Sequence, residues 1–310
     1  LKKVMSSGTL NDKMASMMLM IQQSPVHRLQ VLDILLKMAS KRGKREHSMA
    51  LETLKDLFET DLLPDRKLTY FHEQPVDEQA ARNPTLLVMW YFEDAVKHKF
   101  AEFITHLEAA THDSLTHVRT KVCRMSYDLL RTKAEQEQAN LFLLVNKLGD
   151  PDKKVSSHVM YLLNKLLLEH PAMKAVVAAE VQRLLFRPNV SDRAKHYATA
   201  FLNQIILAKQ DGELAKGLVG SYLGLFRKHM EEKKNFEDKT LTAILTGVNR
   251  ALPFLPLPVA AAVIGEHLDS IFKMVYVATF NTSIQALQVL FQATADAHGI
   301  PSARYYRALY

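Results

Sequence analysis

The chain has 310 residues, 48% hydrophobic and 24% charged, with a formal net charge of +7. These proportions are ordinary for a folded chain, and the scarcity of Gly (10) and Pro (11) against usual shares of about 7% and 5% argues against a turn-rich β-sandwich or barrel and against disorder. The single cysteine, Cys123, excludes an intramolecular disulfide, a cysteine zinc site and a CxxC redox pair, and it fits a reducing compartment.

The opening Leu1-Lys2-Lys3-Val4-Met5 shows no initiator Met and no signal peptide, so the chain is expected to be a fragment of a longer one. Apolar residues recur at three- and four-residue steps and period-two alternation is scarce, which predicts helix almost throughout. An N-terminal helix is expected over Leu10–Gln22. It carries Met14, Met17, Met18 and Met20, which read better as packing than as an adaptable partner surface. Leu29, Leu32, Leu35 and Leu36 stripe a helix from Val26 to Ser40. Met49, Leu51, Leu54, Leu57 and Phe58 stripe the next, closing at Leu63-Pro64. The last two make a helical hairpin, and with the N-terminal helix they fill residues 1–63.

The turn of that hairpin is the charge focus. Residues 1–50 hold nine Lys/Arg and three acids, a net +6, so the other 260 residues are close to neutral. Lys37, Lys41, Arg42, Lys44 and Arg45 put five cations in nine residues without an acid. Such a field attracts phosphate. A nuclear-import signal or a solvated, Gly-broken turn would read the same way.

Residues 64–85, with Pro64, Pro75 and Pro84, read as an irregular connection that Tyr70 and Phe71 tack to the helices. Connections of this length are usually functional or mobile. From 86 to 300 the pattern becomes paired helices. A helix over Leu86–Ala110 is followed by one starting near Thr111–Ser114. Next come Ala139–Leu148 and a helix introduced by Asp150 as N-cap and Pro151 as first residue. The later pairs are Ala172–Leu185 with Ser191–Leu207, Glu213–Met230 with Phe236–Leu252, and Val259–Phe280 with Thr282–His298. In the second helices Val118, Val155 and Ala194 fall 37 and 39 residues apart, each followed four positions on by Val122, Val159 or Ala198. Leu241 and Ile284 continue less regularly. A period near 40 built from antiparallel helix pairs predicts an all-α HEAT- or armadillo-like solenoid. The longest apolar stretch, Ala251–Gly265, is broken by three prolines and too short to span a bilayer.

Motifs for catalysis are missing: there is no GxGxxG, GxSxG or HExxH. Gly212 to Gly217 has the glycine spacing of a phosphate loop, but Leu218 and Val219 stand where Lys and Ser/Thr are required. His106, His112 and His117 straddle a predicted helix break and lack metal-ligand spacing. Cys123 falls on a core face. No cofactor, metal or enzymatic activity is expected. Two readings stay open: an RNA-binding assembly scaffold, and a protein-only adaptor of transport or transcription without direct RNA contact. The salt dependence of RNA binding separates them.

Several blocks are more specific than any repeat pattern. Lys37–Glu46 runs into Ala50–Phe58 and Asp61–Leu68. Further blocks are Val145–Pro151, Leu184–Arg187, Leu245–Ala251, Asn281–Leu287 and the closing Arg304–Tyr310. They resemble the CCAAT-binding-factor family of nucleolar complex proteins, from about Pro25 onward. The resemblance implies a nucleolar, non-enzymatic factor acting on early large (60S) subunit precursors. It implies a heterodimer with a second nucleolar complex protein, and contact with pre-ribosomal RNA and other assembly factors. It implies that Lys37, Lys41, Arg42, Lys44 and Arg45 contact RNA phosphates, with Arg66 and Lys67 as second-rank candidates. Partner contact is expected on the exposed side of the last hairpins, near 236–291. The chain departs from the family in the Pro-rich stretch Leu252–Val259, and residues 301–310 only begin the family's namesake domain. A promoter-DNA role finds little support, because no zinc finger or basic zipper is visible.

Overall fold

The computed structural model describes residues 8–41, 45–75, 82–232, 239–294 and 303–309. Among these every regular element is helical, as the apolar periodicity predicts. The chain divides into two compact units. One comprises 1–147 with 152–169, the other 148–151 with 170–310.

In the first unit α1 (Leu10–Gln23) starts from a reciprocal cap. The Asp12 N–H donates to Thr9 Oγ1 at 3.3 Å and the Thr9 N–H to Asp12 Oδ2 at 3.0 Å. Such a box satisfies two helix-end donors that would otherwise be orphaned. Met14, Met17 and Met20 face inward, at 8% exposure or less, and the half-buried Met18 packs against the same core, so the methionines of this helix serve packing. Met5 lies outside the described residues. Helices α2 (Leu29–Ala39) and α3 (Arg45–Leu57) pack together as the expected hairpin. A wide π turn, Phe58–Leu62, ends it and delivers Phe58 against Phe100 and Phe103 of α4 (Pro84–Ala110), with ring centroids 4.9 and 5.4 Å apart. All three rings are fully buried. Truncating any one to Ala would cost about 3–5 kcal/mol.

Helices α5 (Thr116–Thr132), α6 (Glu137–Asn146) and α7 (Lys153–Glu169) complete this unit, and α5 packs on both of the others. Cys123 is buried on α5. The cap of α7 corrects the sequence reading: it is Asp152, not Asp150. Asp152 Oδ1 accepts the Lys154 N–H at 2.9 Å and Oδ2 accepts the Thr116 hydroxyl at 2.7 Å. Pro151 therefore precedes the helix instead of opening it.

The second unit holds α8 (Lys174–Phe186), α9 (Asp192–Leu202), α10 (Gly212–Glu232), α11 (Lys239–Ala251), α12 (Leu257–Gly265), α13 (Leu268–Val277), α14 (Phe280–Thr294) and α15 (Ala303–Leu309). Ser191, where the sequence starts this helix, caps α9 and accepts the Ala194 N–H at 3.2 Å. Within this unit α9 packs on α11 and α11 on α14. The expected single helix Val259–Phe280 is two, broken at Glu266-His267 after Gly265. Glycine is the weakest helix former after proline, and the apolar pattern continues across the break. The repeat register also shifts at its end. Thr282 and Ala286 are buried there, while Ile284, the expected repeat position, is only half-buried.

Hydrogen bonds between helices join residues about one period apart in sequence. In the first unit Tyr127 reaches Glu169, 42 residues on. In the second, Gln182 reaches Ser221 at 39, Asn203 reaches the Ala243 carbonyl at 40, Thr242 meets Thr282 at 40 and Asn249 reaches the Gln285 carbonyl at 36.

Candidate nucleic-acid interface

The basic turn is framed by two helix ends. Helix α2 closes with the Ser40 N–H on the Leu36 carbonyl at 3.0 Å and the Ser40 hydroxyl on the Lys37 carbonyl at 2.9 Å. The Lys41 N–H continues the turn to the Met38 carbonyl at 3.2 Å. From α3, His47 reaches back across the turn to the Ala39 carbonyl through Nδ1. His47 is 3% exposed, and its Nε2 has no partner among the described residues. Bonding through Nδ1 fixes the imidazole's orientation. Sequence reasoning missed this pin, since a lone histidine eight residues from its acceptor carries no motif.

Lys37, Lys41 and Arg45 are all exposed around this frame. Among the described residues no carboxylate pairs with any of them. Arg42 and Lys44 lie outside the described residues. The setting of the three is informative. Lys37 occupies the last turn of α2, where a cation complements the helix dipole. Arg45 opens α3, where a cation opposes it by a few tenths of a kcal/mol. Arg45 therefore gains nothing for its own helix and leaves its charge to solvent or an outside anion.

Arg66 and Lys67 stand differently. Residues 63–71 form a strap held down at nearly every step. The Lys133 ammonium donates to the Leu63 carbonyl at 2.8 Å. Arg66 forks onto Glu93 of α4, at 2.5 and 3.1 Å. Lys67 meets Glu137 at 2.7 Å. The Leu68 N–H donates to Glu135 at 2.7 Å, and the Leu68 carbonyl accepts from Lys97 at 2.6 Å. Lys97 also pairs with Glu135 at 3.2 Å, both nearly buried. The Thr69 and Phe71 N–H groups donate to Glu93 and Asp94. Tyr70 lies under the Lys97 ammonium, 4.6 Å from its ring centre, so it tacks the strap down as expected. Phe71 does so through its backbone, and the residue stays exposed. The Arg66 fork holds the Glu93 carboxyl below the usual carboxylate range. Both cations of this stretch are thus matched by acids, and the structure does not gather them with the turn cations into one unopposed patch.

On the last helices Tyr276, Val277 and Phe280 are exposed by 68%, 52% and 78%, within the stretch expected to meet a partner. Residues 233–238 lie outside the described residues. Among the described residues no group of three metal-type ligands occurs, and no helix is long and apolar enough to cross a membrane.

Among the described residues the fold is all-helical, with Lys37, Lys41 and Arg45 exposed where α2 ends and α3 begins. No family model matches it. The chain is 44% identical to human CCAAT/enhancer-binding protein zeta over 319 residues, covering all of this chain and 30% of that protein (Homo sapiens). It is 33% identical over 360 residues to the ribosome biogenesis protein NOC1 of Chaetomium thermophilum, covering 99% of this chain and 34% of that one. It is 30% identical over 325 residues to nucleolar complex protein 1 of Drosophila melanogaster, covering 100% and 27%. The chain belongs to the CCAAT-binding-factor family of nucleolar complex proteins and spans about a third of the length of the curated relatives it matches. Their names indicate a nucleolar or nuclear setting. A solved engineered protein aligns over 99% of this chain and 79% of its own at 12% identity, with a TM-score of 0.40, too low to argue from.

Proposed function

We propose that the chain is a non-catalytic scaffold for assembly of early large (60S) ribosomal subunit precursors. It holds pre-ribosomal RNA through Lys37, Lys41, Arg42, Lys44 and Arg45, with Arg66 and Lys67 contributing only where an RNA phosphate displaces Glu93 or Glu137. It joins a second nucleolar complex protein as a heterodimer and meets other assembly factors on separate faces. The reading rests on one observation: Lys37, Lys41 and Arg45 stand exposed at the end of α2 and the start of α3, which His47 ties together, with no carboxylate partner among the described residues. The family relationship supplies the ribosomal context. The HEAT-like solenoid reading is supported by hydrogen bonds joining residues 36–42 apart and by second-neighbour helix packing within each unit.

Contact is with phosphates and independent of sequence. Five such contacts on single-stranded RNA give a log–log salt slope of about −3.5, or roughly a hundredfold loss of affinity between 50 and 200 mM salt. Fluorescence anisotropy with labelled pre-ribosomal RNA tests this. Reversing Lys41, Arg42, Lys44 and Arg45 to Glu should flatten the slope by about 3 and leave helicity unchanged. Equal slopes for the two proteins would remove the assignment. An absence of RNA affinity at low salt would favour the protein-only adaptor.

A further inference from the structure

The first half of α4 is unusual for a helix in a folded unit. Seven apolar or aromatic residues run consecutively from Leu86 to Phe92, and none is buried. Val88, Met89 and Tyr91 are exposed by 49%, 61% and 63%. The chain's single tryptophan, Trp90, lies among them. Buried positions begin only at Val96. Leu86, Leu87, Trp90 and Phe92 are half-buried, with Phe92 packed against the core, and packing of the described residues leaves Val88, Met89 and Tyr91 uncovered.

Tyr91 also lines one end of an open groove of about 860 Å³ between α4 and the start of α2. On the α4 wall Tyr91, Asp94, His98 and Glu102 follow at three- and four-residue steps, one stripe of about 16 Å or three turns. Val26, Gln30 and Asp33 line the opposite wall. Asp33, Asp94 and Glu102 set three carboxylates against the one ammonium of Lys99, which pairs with Asp33. His27 meets the Ser24 hydroxyl at 2.8 Å, while His98 Nδ1 bonds the Asp94 carbonyl at 2.9 Å and lies 3.4 Å from Asp94 Oδ2, and His106 Nε2 lies 3.6 Å from Glu102 Oε1; neutral imidazoles leave the carboxylates in excess. This local field has the opposite sign to the basic turn at the far end of α2. It repels RNA and favours a cationic partner.

We propose that this groove and its apolar rim dock a basic amphipathic helix of a partner protein, about three turns long. Its Lys/Arg face would meet Asp33, Asp94 and Glu102, and its apolar flank would cover Val88, Met89 and Tyr91. Charge complementarity carries the choice of occupant, and a helix lying along the stripe suits the groove's length. The inference is independent of the RNA reading.

Trp90 supplies the readout. Two 18-residue helical probes share one leucine pattern, with lysine on the polar face of one and glutamate on the other. Titrated into the 310-residue chain, the lysine probe should shift Trp90 emission to the blue with saturation, and the glutamate probe should not. Neutralising Asp33→Asn with Glu102→Gln should weaken lysine-probe binding about tenfold at low salt. Tyr91→Ser should weaken it through the rim alone, which keeps the test open if the double variant loses helicity by circular dichroism. Equal binding of the two probes, an unmoved Trp90, or undiminished binding by variants that retain their helicity would overturn the proposal. So would a Trp90 response to homopolymer RNA in place of the lysine probe.

Discussion

Two glycines of the second unit make opposite predictions for one substitution. Gly247 lies on α11 where α10 crosses it. A Cβ built there would stand 2.5 Å from Asn203 Oδ1, 2.5 Å from Tyr222 Cζ and 2.7 Å from Tyr222 Cε2. Neither neighbour yields easily. Tyr222 is 1% exposed, and Asn203 is tied to the Ala243 carbonyl at 2.7 Å. Gly247→Ala should therefore cost about 1–3 kcal/mol from overpacking, above any helix-propensity gain. Gly220, on α10, has nothing among the described residues within 4 Å of its added Cβ, and Gly220→Ala should gain about 0.5–1 kcal/mol. At about 3 °C per kcal/mol for a unit of this size, Tm should fall by about 3–9 °C in the first variant and rise by about 2–3 °C in the second. Calorimetry of the two variants beside the parent chain reads both. Equal Tm shifts, or a Gly247→Ala protein as stable as Gly220→Ala, would refute the close crossing of α10 and α11 from which the signs follow.

Other expectations follow from the strap and the core. Glu135→Ala leaves Lys97 nearly buried without its partner and the Leu68 N–H without an acceptor. It should cost about 3–5 kcal/mol in urea denaturation and open residues 64–75 to limited proteolysis. The lowered Glu93 carboxyl has a definite pH signature. Its folded value lies below the unfolded one, so its stabilising contribution is complete above about pH 4.5 and is lost as pH falls through the lowered folded value. Glu93→Gln should remove that part of the acid limb in a stability-versus-pH series, and an unchanged limb would exclude the Arg66 fork. Cys123, fully buried, should react with a thiol reagent only as fast as the first unit opens. Rapid labelling of the native chain would place it elsewhere.

Much of this fold could be read from residue spacing. The leucine stripe of Val26–Ser40 and the second-helix pairs Val155/Val159 and Ala194/Ala198 are buried faces, because a three- and four-residue apolar period admits no other use in a folded chain. What escaped depends on contacts remote in sequence or on local choices between near-equals. Asp150 and Asp152 are equally good cap residues by type, and the contacts of Asp152 with the Lys154 N–H and with the Thr116 hydroxyl, 36 residues away, decide between them. The break at Glu266-His267 is hidden because apolar residues recur on both sides of it. Glu93 and Glu135 look like solvated helix charges until the strap comes back over them from 24 to 67 residues away. The same long-range pairing separates the candidate cations. Lys37, Lys41 and Arg45 keep their charge unmatched among the described residues, while Arg66 and Lys67 do not, a division that local composition does not contain.

Cross-linking of RNA to the protein in cells, with the modified peptides mapped by mass spectrometry, tests the central claim most directly. The account predicts pre-ribosomal RNA joined to peptides covering Lys37–Arg45, with few cross-links on the acidic groove between α2 and α4. Recovery of the protein with protein partners alone, or cross-links spread evenly over both faces, would contradict it.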